Sequence, residues 1–274
     1  MKSPIRWTGS KRLIAKEIIK YFPKEINTYY ECFLGGGSLF CNLVDSNIKI
    51  NQYVLSDINN DLISLWNMML NKPEEVANTY EKLYKELYKD ENGDRQKQFF
   101  KEIRGEFNKD KKVAYFMFIT RVQVNGLIRY NDKGEFNSAY APTKKNKGIN
   151  PEKLKVIISE FNNKFSKVKI KFINSDYIDL KPNIDDYVYL DPPYSNSEGL
   201  YYGTIDYDKL WEWMLKLPCQ YSLSFNGVRG NMFSKYEIPK QLYSQEIMLK
   251  NNQNGFRSIS SGINEELFEG LYIK

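Results

Sequence analysis

The sequence contains no histidine. That absence removes Ser-His-Asp and Cys-His nucleophile machinery, histidine general bases and histidine-containing metal sites. Cysteine is scarce: Cys32, Cys41 and Cys219 show no CxxC spacing and are too few for a disulfide scaffold. No apolar stretch is long enough to span a bilayer, and the N-terminus MKSPIRW lacks the apolar region of a secretory signal. The expectation is a chain of a reducing, cytoplasmic compartment with no membrane partner and no metal. Its chemistry has to run on carboxylates, backbone groups, lysine or a cofactor.

What is present fits a globular fold. At 274 residues, 42% of them hydrophobic, the chain can bury one large core or two small ones. Lys and Arg number 40 against 34 Asp and Glu, and the surplus of +6 biases the surface toward a polyanionic partner. A composition rich in Lys, Asn and Ile produces the same surplus without one.

Hydrophobic periodicity lays out strands and helices in alternation at both ends of the chain. SKRLIAKEIIKYF reads as a first helix, with Leu13, Ile14, Ile18 and Phe22 on one face and Ser10 placed to cap it. TYYECFL reads as a buried strand running into GGG and then SLFCNLV, a strand–turn–helix. QYVLSDIN and NDLISLWNMML repeat the pattern. From about residue 73 to 120, charged helices (EEVANTYEKLYKELY, RQKQFFKEIRGEF, KKVAYFMFIT) follow without a strand between them. The polar stretch NGLIRYNDKGEFNSAYAPTKKNKG comes next, with NDKG between two short potential strands as a hairpin signal. After Pro151 the alternation resumes through EKLKVIISEFNNKF, KVKIKFI, DYVYL, DYDKLWEWMLKL and QYSLSF, with further strands near YSQEIMLK and EGLYIK. Alternation at both ends implies an α/β fold with a parallel-rich sheet. The helical middle reads as an insertion or a second lobe.

Two short stretches carry chemistry. In YVYLDPPYSNSEG an apolar strand ends on Asp191-Pro192-Pro193-Tyr194. Proline lacks an N–H and fixes φ, and the residue before it is held extended, so the stretch is a stiff hook at the carboxyl end of a strand. Ligands of open α/β sheets bind at that end. Taken alone, the hook is better explained by a proline-terminated edge strand with an incidental Asp. The second stretch, Cys32 to Ser38 (CFLGGGS), follows a strand and opens a helix, the setting in which a glycine-rich turn meets a ligand. Asp57 ends the next strand about twenty residues on, where an acid can take ribose hydroxyls. Phe40 occupies the place of the third glycine of GxGxxG, so a nucleoside cofactor without pyrophosphate fits better than a dinucleotide.

With these residues in view the chain resembles the Dam-like DNA adenine-N6 methyltransferases (D12 class, alpha group). The matching stretches are Arg6-Trp7-Thr8-Gly9-Ser10-Lys11, the turn Phe33 to Ser38, Ser56-Asp57-Ile58-Asn59-Asn60-Asp61-Leu62, Asn125-Gly126-Leu127-Ile128-Arg129-Tyr130-Asn131, Gly134-Glu135-Phe136-Asn137 and Asp191-Pro192-Pro193-Tyr194. They stand in the family's order and cover most of the chain to about residue 200. The resemblance implies a Rossmann-like class I methyltransferase sheet built from 1–62 and 151–274. Residues 63–150 become an inserted, mainly helical target-recognition lobe carrying a β-hairpin. It also implies a site for S-adenosylmethionine (AdoMet) formed by Trp7, Lys11, Phe33, Gly35, Gly37, Ser38, Asp57, Ile58, Asp176 and Asp191. Lys11 is expected to meet the methionine carboxylate, Phe33 and Ile58 to flank the adenine, and Asp176 to bind its amino group.

The same resemblance gives Asp191, Pro192, Pro193 and Tyr194 a catalytic role. The Asp191 carboxylate and the Pro192 carbonyl accept hydrogens of an extruded adenine's amino group, and Tyr194 stacks on the base. Double-stranded DNA is the implied partner. Arg129 is the expected base reader, helped by Arg6, Asn125, Leu127, Asn131 and Asn137, with Lys144 and Lys145 for phosphates. Val124 stands where GATC-type enzymes carry an aromatic, which leaves the target sequence open. An orphan enzyme, the partner of a cognate restriction endonuclease, or a phage-encoded enzyme of a host cytoplasm all agree with this reading. A nicotinamide-dependent oxidoreductase and a non-catalytic DNA-binding module are the competing classes.

Overall fold

The computed structural model describes residues 1–141, 147–193, 205–229, 237–251 and 267–274. Seven strands form one sheet: β1 (Glu25–Glu31), β2 (Lys49–Asp57), β3 (Ile170–Asn174), β4 (Tyr187–Leu190), β5 (Gln220–Arg229), β6 (Gln245–Asn251) and β7 (Leu267–Ile273). Their order is β3-β2-β1-β4-β5-β7-β6. The pairs from β3 to β5 are parallel, and β7 runs antiparallel to both of its neighbours. The strand order reverses between β1 and β4, where Tyr30 pairs with Val188. That reversal is the topological switch point, and it fixes where the site lies.

β4 shows why the sheet is buried on both sides. Its four residues are all buried, with Tyr187 and Tyr189 facing one apolar cluster and Val188 and Leu190 the other, as the two-residue strand period requires. β5 answers the two tyrosines with serines: Tyr187 bonds to Ser222, and Tyr189 to Ser224 at 2.7 Å. One face is covered by α1 (Ala15–Ile19), α2 (Ser38–Leu43), α3 (Asn60–Asn71) and α7 (Pro151–Phe165), the other by α8 (Tyr207–Leu215). Between them in sequence lie α4 (Pro73–Leu87), α5 (Gly93–Asp110) and α6 (Val113–Val122). Among the described residues no helix is long and apolar enough to cross a membrane.

The α/β architecture and every expected strand of the sheet are present, with local departures. The first helix is shorter than its periodicity implied. Ser10 is not its cap; the Lys11 carbonyl accepts from Ile14 and Ala15, Ile14 is the cap residue, and Leu13 is 48% exposed. The Lys11 side chain turns inward instead, as described below. The expected hairpin lacks strands: only single bridges join Tyr130 to Phe136 and Gln123 to Tyr140. Side chains take the backbone groups a ladder would have used. Asn108 of α5 both donates to and accepts from the Phe136 backbone, and Ser138 Oγ accepts from Arg129 N–H. The expected boundary at residue 63 lies inside α3. Phe100, Phe107, Phe118 and Phe136 of the insert share one continuous core with Trp66, Phe40 and Tyr29 of the sheet side.

Candidate active site

The carboxyl ends of β1 and β4 diverge at the switch point, and a cavity of about 620 Å³ opens above them. β1 runs directly into the glycine turn. The missing Cβ atoms there serve tryptophans as much as any ligand. A Cβ on Gly35 or Gly36 would come within 2.8 Å of Trp7, and one on Gly37 within 2.8 Å of Trp66. Gly35 and Gly37 also adopt positive φ (47° and 57°), which glycine tolerates without strain. Gly37 therefore packs against the core and does not line the cavity, contrary to its expected ligand role. Trp7, Gly35 and Ser38 do line it. Trp66 secures the turn from below, donating from Nε1 to the Gly35 carbonyl at 3.1 Å.

Asp57, at the end of β2, pins the same turn from the side. Its Oδ2 accepts from Gly35 N–H and its Oδ1 from Asn59 N–H, both at 2.9 Å. Burial raises its carboxyl from 3.8 to about 6, opposed by those two bonds. Phe33, Ile58, Tyr177 and Ile178 also line the cavity. Phe33 and Tyr177 pack at 5.6 Å between ring centroids, while Ile58 and Ile178 stay 40% and 50% exposed on the cavity wall. Exposed aliphatics beside aromatics form an apolar slot suited to a flat ring. Asp176 lines the cavity and also accepts from Ile178 N–H through Oδ1, so it is both the turn cap and a candidate ligand.

The far end of the cavity is acidic. Lys11 is buried, with Nζ 2.7 Å from Asp191 Oδ1 and 3.2 Å from Glu269 Oε1. Its partners here are thus protein carboxylates, and it also lines the cavity. Glu31, the last residue of β1, is buried beside them. Burial and the neighbouring Asp191 charge raise its carboxyl from 4.5 to about 8, opposed by bonds from the Tyr29 hydroxyl (2.9 Å) and Phe40 N–H. In total Glu31, Asp57, Asp176, Asp191, Asp206 and Glu269 line the cavity against two lysines, Lys11 and Lys209. An acidic cavity in a chain of net charge +6 selects for a cationic ligand.

Glu31 has a consequence for stability. A carboxyl at about 8 in the folded chain binds its proton more tightly than it does unfolded at 4.5. Stability therefore falls as pH rises from about 4.5 to about 8 and levels off above, and Asp57 adds to the fall only up to about 6. Melting curves of the ligand-free protein are expected to decline between pH 6 and 8, and Glu31→Gln to flatten that portion. An unchanged slope in the variant contradicts the burial assignment.

The proline hook sits where the sequence put it. Asp191 and Pro193 are half-buried and Pro192 is buried, all on the cavity wall. The Tyr207 hydroxyl donates to the Pro193 carbonyl. Tyr194, Lys144 and Lys145 lie outside the described residues, as does the side chain of Asn125. Arg129 and Asn137 are exposed on the turn, while Arg6 and Leu127 are half-buried. Asn131 holds the turn itself: Oδ1 accepts from Lys133 and Glu135 N–H, and Nδ2 donates to Glu135. Glu31, Glu269, Tyr177 and Ile178 escaped the sequence reading. Only Glu31 left a signal there, as an acid ending a buried strand directly before the turn.

Residues 7–212 match the D12 class N6 adenine-specific DNA methyltransferases. Among individual relatives, the Type II methyltransferase M.MjaIII of Methanocaldococcus jannaschii is 32% identical over 207 residues, 71% of this chain and 69% of that protein. The Type II methyltransferase M1.LlaDCHI of Lactococcus lactis subsp. cremoris is 31% identical over 69% of this chain, and the DNA adenine methylase of Escherichia coli K12 is 32% identical over 70%. The match spans 64% of each of these last two proteins, just under two thirds of their length.

Proposed function

The chain belongs to the D12 class N6 adenine-specific DNA methyltransferases, and from that membership we propose that it transfers a methyl group from AdoMet to the exocyclic amino group of an adenine extruded from duplex DNA. The observation that carries the reading is the acidic cavity at the switch point, lined by six acidic side chains, Glu31 among them in its protonated form, together with apolar ones. AdoMet fits that donor set: Asp57 suits the ribose hydroxyls, the apolar side chains Phe33, Ile58, Tyr177 and Ile178 the adenine, and the Asp191–Glu269 end the sulfonium and ammonium charges. When bound, the cofactor would supply an electrophilic methyl group.

The chain's own residues supply orientation. An adenine amino nitrogen is a weak nucleophile because its lone pair is delocalised into the ring. Acceptors at Asp191 and the Pro192 carbonyl draw its hydrogens aside and favour a tetrahedral nitrogen. Asp191 is pre-aimed by Lys11 and by the prolines behind it, so little reorganisation accompanies the reaction. Transfer would break the methyl–sulfur bond as the N–C bond forms, leaving a neutral thioether, and the positive charge would pass to that nitrogen next to the Asp191 carboxylate. That nitrogen, now strongly acidic, would then lose one proton to water, so the scheme needs no histidine base. Tyr194 supplies the stacking face in this scheme.

The nicotinamide reading is disfavoured by the same cavity, since its acidic side chains outnumber its two lysines even with Glu31 held protonated, and so disfavour a pyrophosphate. Sequence choice is assigned to the exposed Arg129. Arg129→Ala is expected to cost roughly 1–3 kcal/mol of discrimination at one base pair, leaving binding to unrelated duplexes nearly unchanged. Competition binding with single-base-pair variants of the target checks this. Unchanged discrimination removes Arg129 from the reading surface.

A further inference from the structure

A line of hydrogen bonds joins the cavity to the turn that carries Arg129. Gly35 N–H donates to Asp57 Oδ2, and Asn59 N–H to Asp57 Oδ1, both at 2.9 Å. Asn59 is 2% exposed and caps α3 by accepting from Leu62 N–H at 3.0 Å. Its side-chain amide lies 3.3–3.4 Å from the Tyr130 hydroxyl, which donates to Asp61 Oδ2 at 2.9 Å. Asp61 belongs to the first turn of α3, and Lys111 at 3.3 Å balances its charge. Tyr130 follows Arg129 directly, and its ring stands edge-on to Phe136 at 5.7 Å. The opposite side of the turn is fastened to α5 by Asn108 and Arg104. The turn is thus anchored to the helical insert on one side and, on the other, to the start of α3, which follows the cavity-lining Asp57 and Ile58.

Resting on the cofactor reading above, we propose that the Tyr130 hydroxyl is a positioning group that couples occupancy of the cavity to DNA recognition by the Arg129 turn. Ribose hydroxyls on Asp57 hold its carboxylate in the orientation that binds both Gly35 and Asn59. Fixing Asn59 fixes the first turn of α3 and the two acceptors around Tyr130, so the reading turn is held in one register against the cavity. A ligand shifts an equilibrium only by its differential affinity for two states, and here the states are a registered and a loosened turn. The coupling is reciprocal: cofactor tightens cognate duplex binding by the factor by which the duplex tightens cofactor binding. A second tie, Thr8 Oγ1 to the Gly126 carbonyl at 2.9 Å, reaches the neighbouring loop from the cavity and is independent of Tyr130.

The test is Tyr130→Phe, which keeps the ring on Phe136 and removes the hydroxyl alone. Affinity for a duplex containing the methylated site is measured by fluorescence anisotropy with and without saturating S-adenosylhomocysteine, and affinity for S-adenosylhomocysteine alone by calorimetry. The parent protein is expected to show cofactor-dependent tightening within about 5–150-fold, and Tyr130→Phe a ratio near one with unchanged affinity for each ligand alone. Phe at this position with the parental ratio overturns the proposal, as does a parent that binds both ligands with no coupling. A parent that does not bind S-adenosylhomocysteine at all instead overturns the cofactor reading. Thr8→Val serves as the control for a general loosening: it is expected to leave the ratio intact, and loss of the ratio in that variant but not in Tyr130→Phe contradicts the assignment to Tyr130.

Discussion

Asp191→Asn is expected to slow methyl transfer by about a hundred- to a thousandfold at saturating cofactor, the usual cost of removing one preorganised polar group. The substitution keeps the size and one carbonyl acceptor. It loses the charge that faces the developing positive nitrogen. Lys11 retains Glu269 at 3.2 Å, so no lone buried ammonium is left and the fold is expected to survive. Single-turnover measurement matters because Asp191 also stands at the acidic end of the cofactor cavity, and a weakened cofactor complex must not be mistaken for slow chemistry. Duplex affinity is expected to be unchanged, as is base extrusion followed with 2-aminopurine at the target position. A parental single-turnover rate in Asp191→Asn would falsify the role given to the proline hook.

Asp57→Ala is expected to weaken AdoMet binding by about ten- to a hundredfold, since a charged acceptor for hydroxyl groups is worth ~1.5–3 kcal/mol. The structure adds a second loss that the sequence did not disclose. Gly35 and Asn59 N–H groups both forfeit the carboxylate that holds them, so the glycine turn and the start of α3 loosen together. A lowered melting temperature should therefore accompany the weakened binding. Isothermal calorimetry on the folded variant checks the affinity, and parental affinity there contradicts the assignment of Asp57 to the ribose.

Much of this was legible in the sequence because it depends on local rules. Prolines cannot continue a strand, so the hook after β4 was visible at once, and a glycine run between a strand and a helix marks a turn wherever it occurs. The reasons for the glycines were not legible, because Trp7 and Trp66 approach them from distant parts of the chain. Lys11 was expected to face a ligand, since nothing near it in sequence tells that Glu269 of the last strand lies 3.2 Å away. An antiparallel final strand inserted between β5 and β6 is a tertiary arrangement, and its acid carries no local mark. The missing hairpin has a similar cause. NDKG does turn the chain, with Asn131 N–H to the Glu135 carbonyl and Asn137 N–H to the Arg129 carbonyl across it, but Asn108 of α5 takes the Phe136 backbone and Ser138 takes Arg129 N–H, so pairing stops at a single bridge.

The most direct test of the account is chemical identification of the product. The protein is incubated with duplex DNA and AdoMet carrying a labelled methyl group, the DNA is digested to nucleosides, and the label is located by mass spectrometry and sequencing. The account predicts label on N6 of deoxyadenosine within one short sequence, abolished in Asp191→Ala. Label on cytosine or on protein, or a folded protein that binds duplex and AdoMet but leaves adenine unmodified, contradicts it.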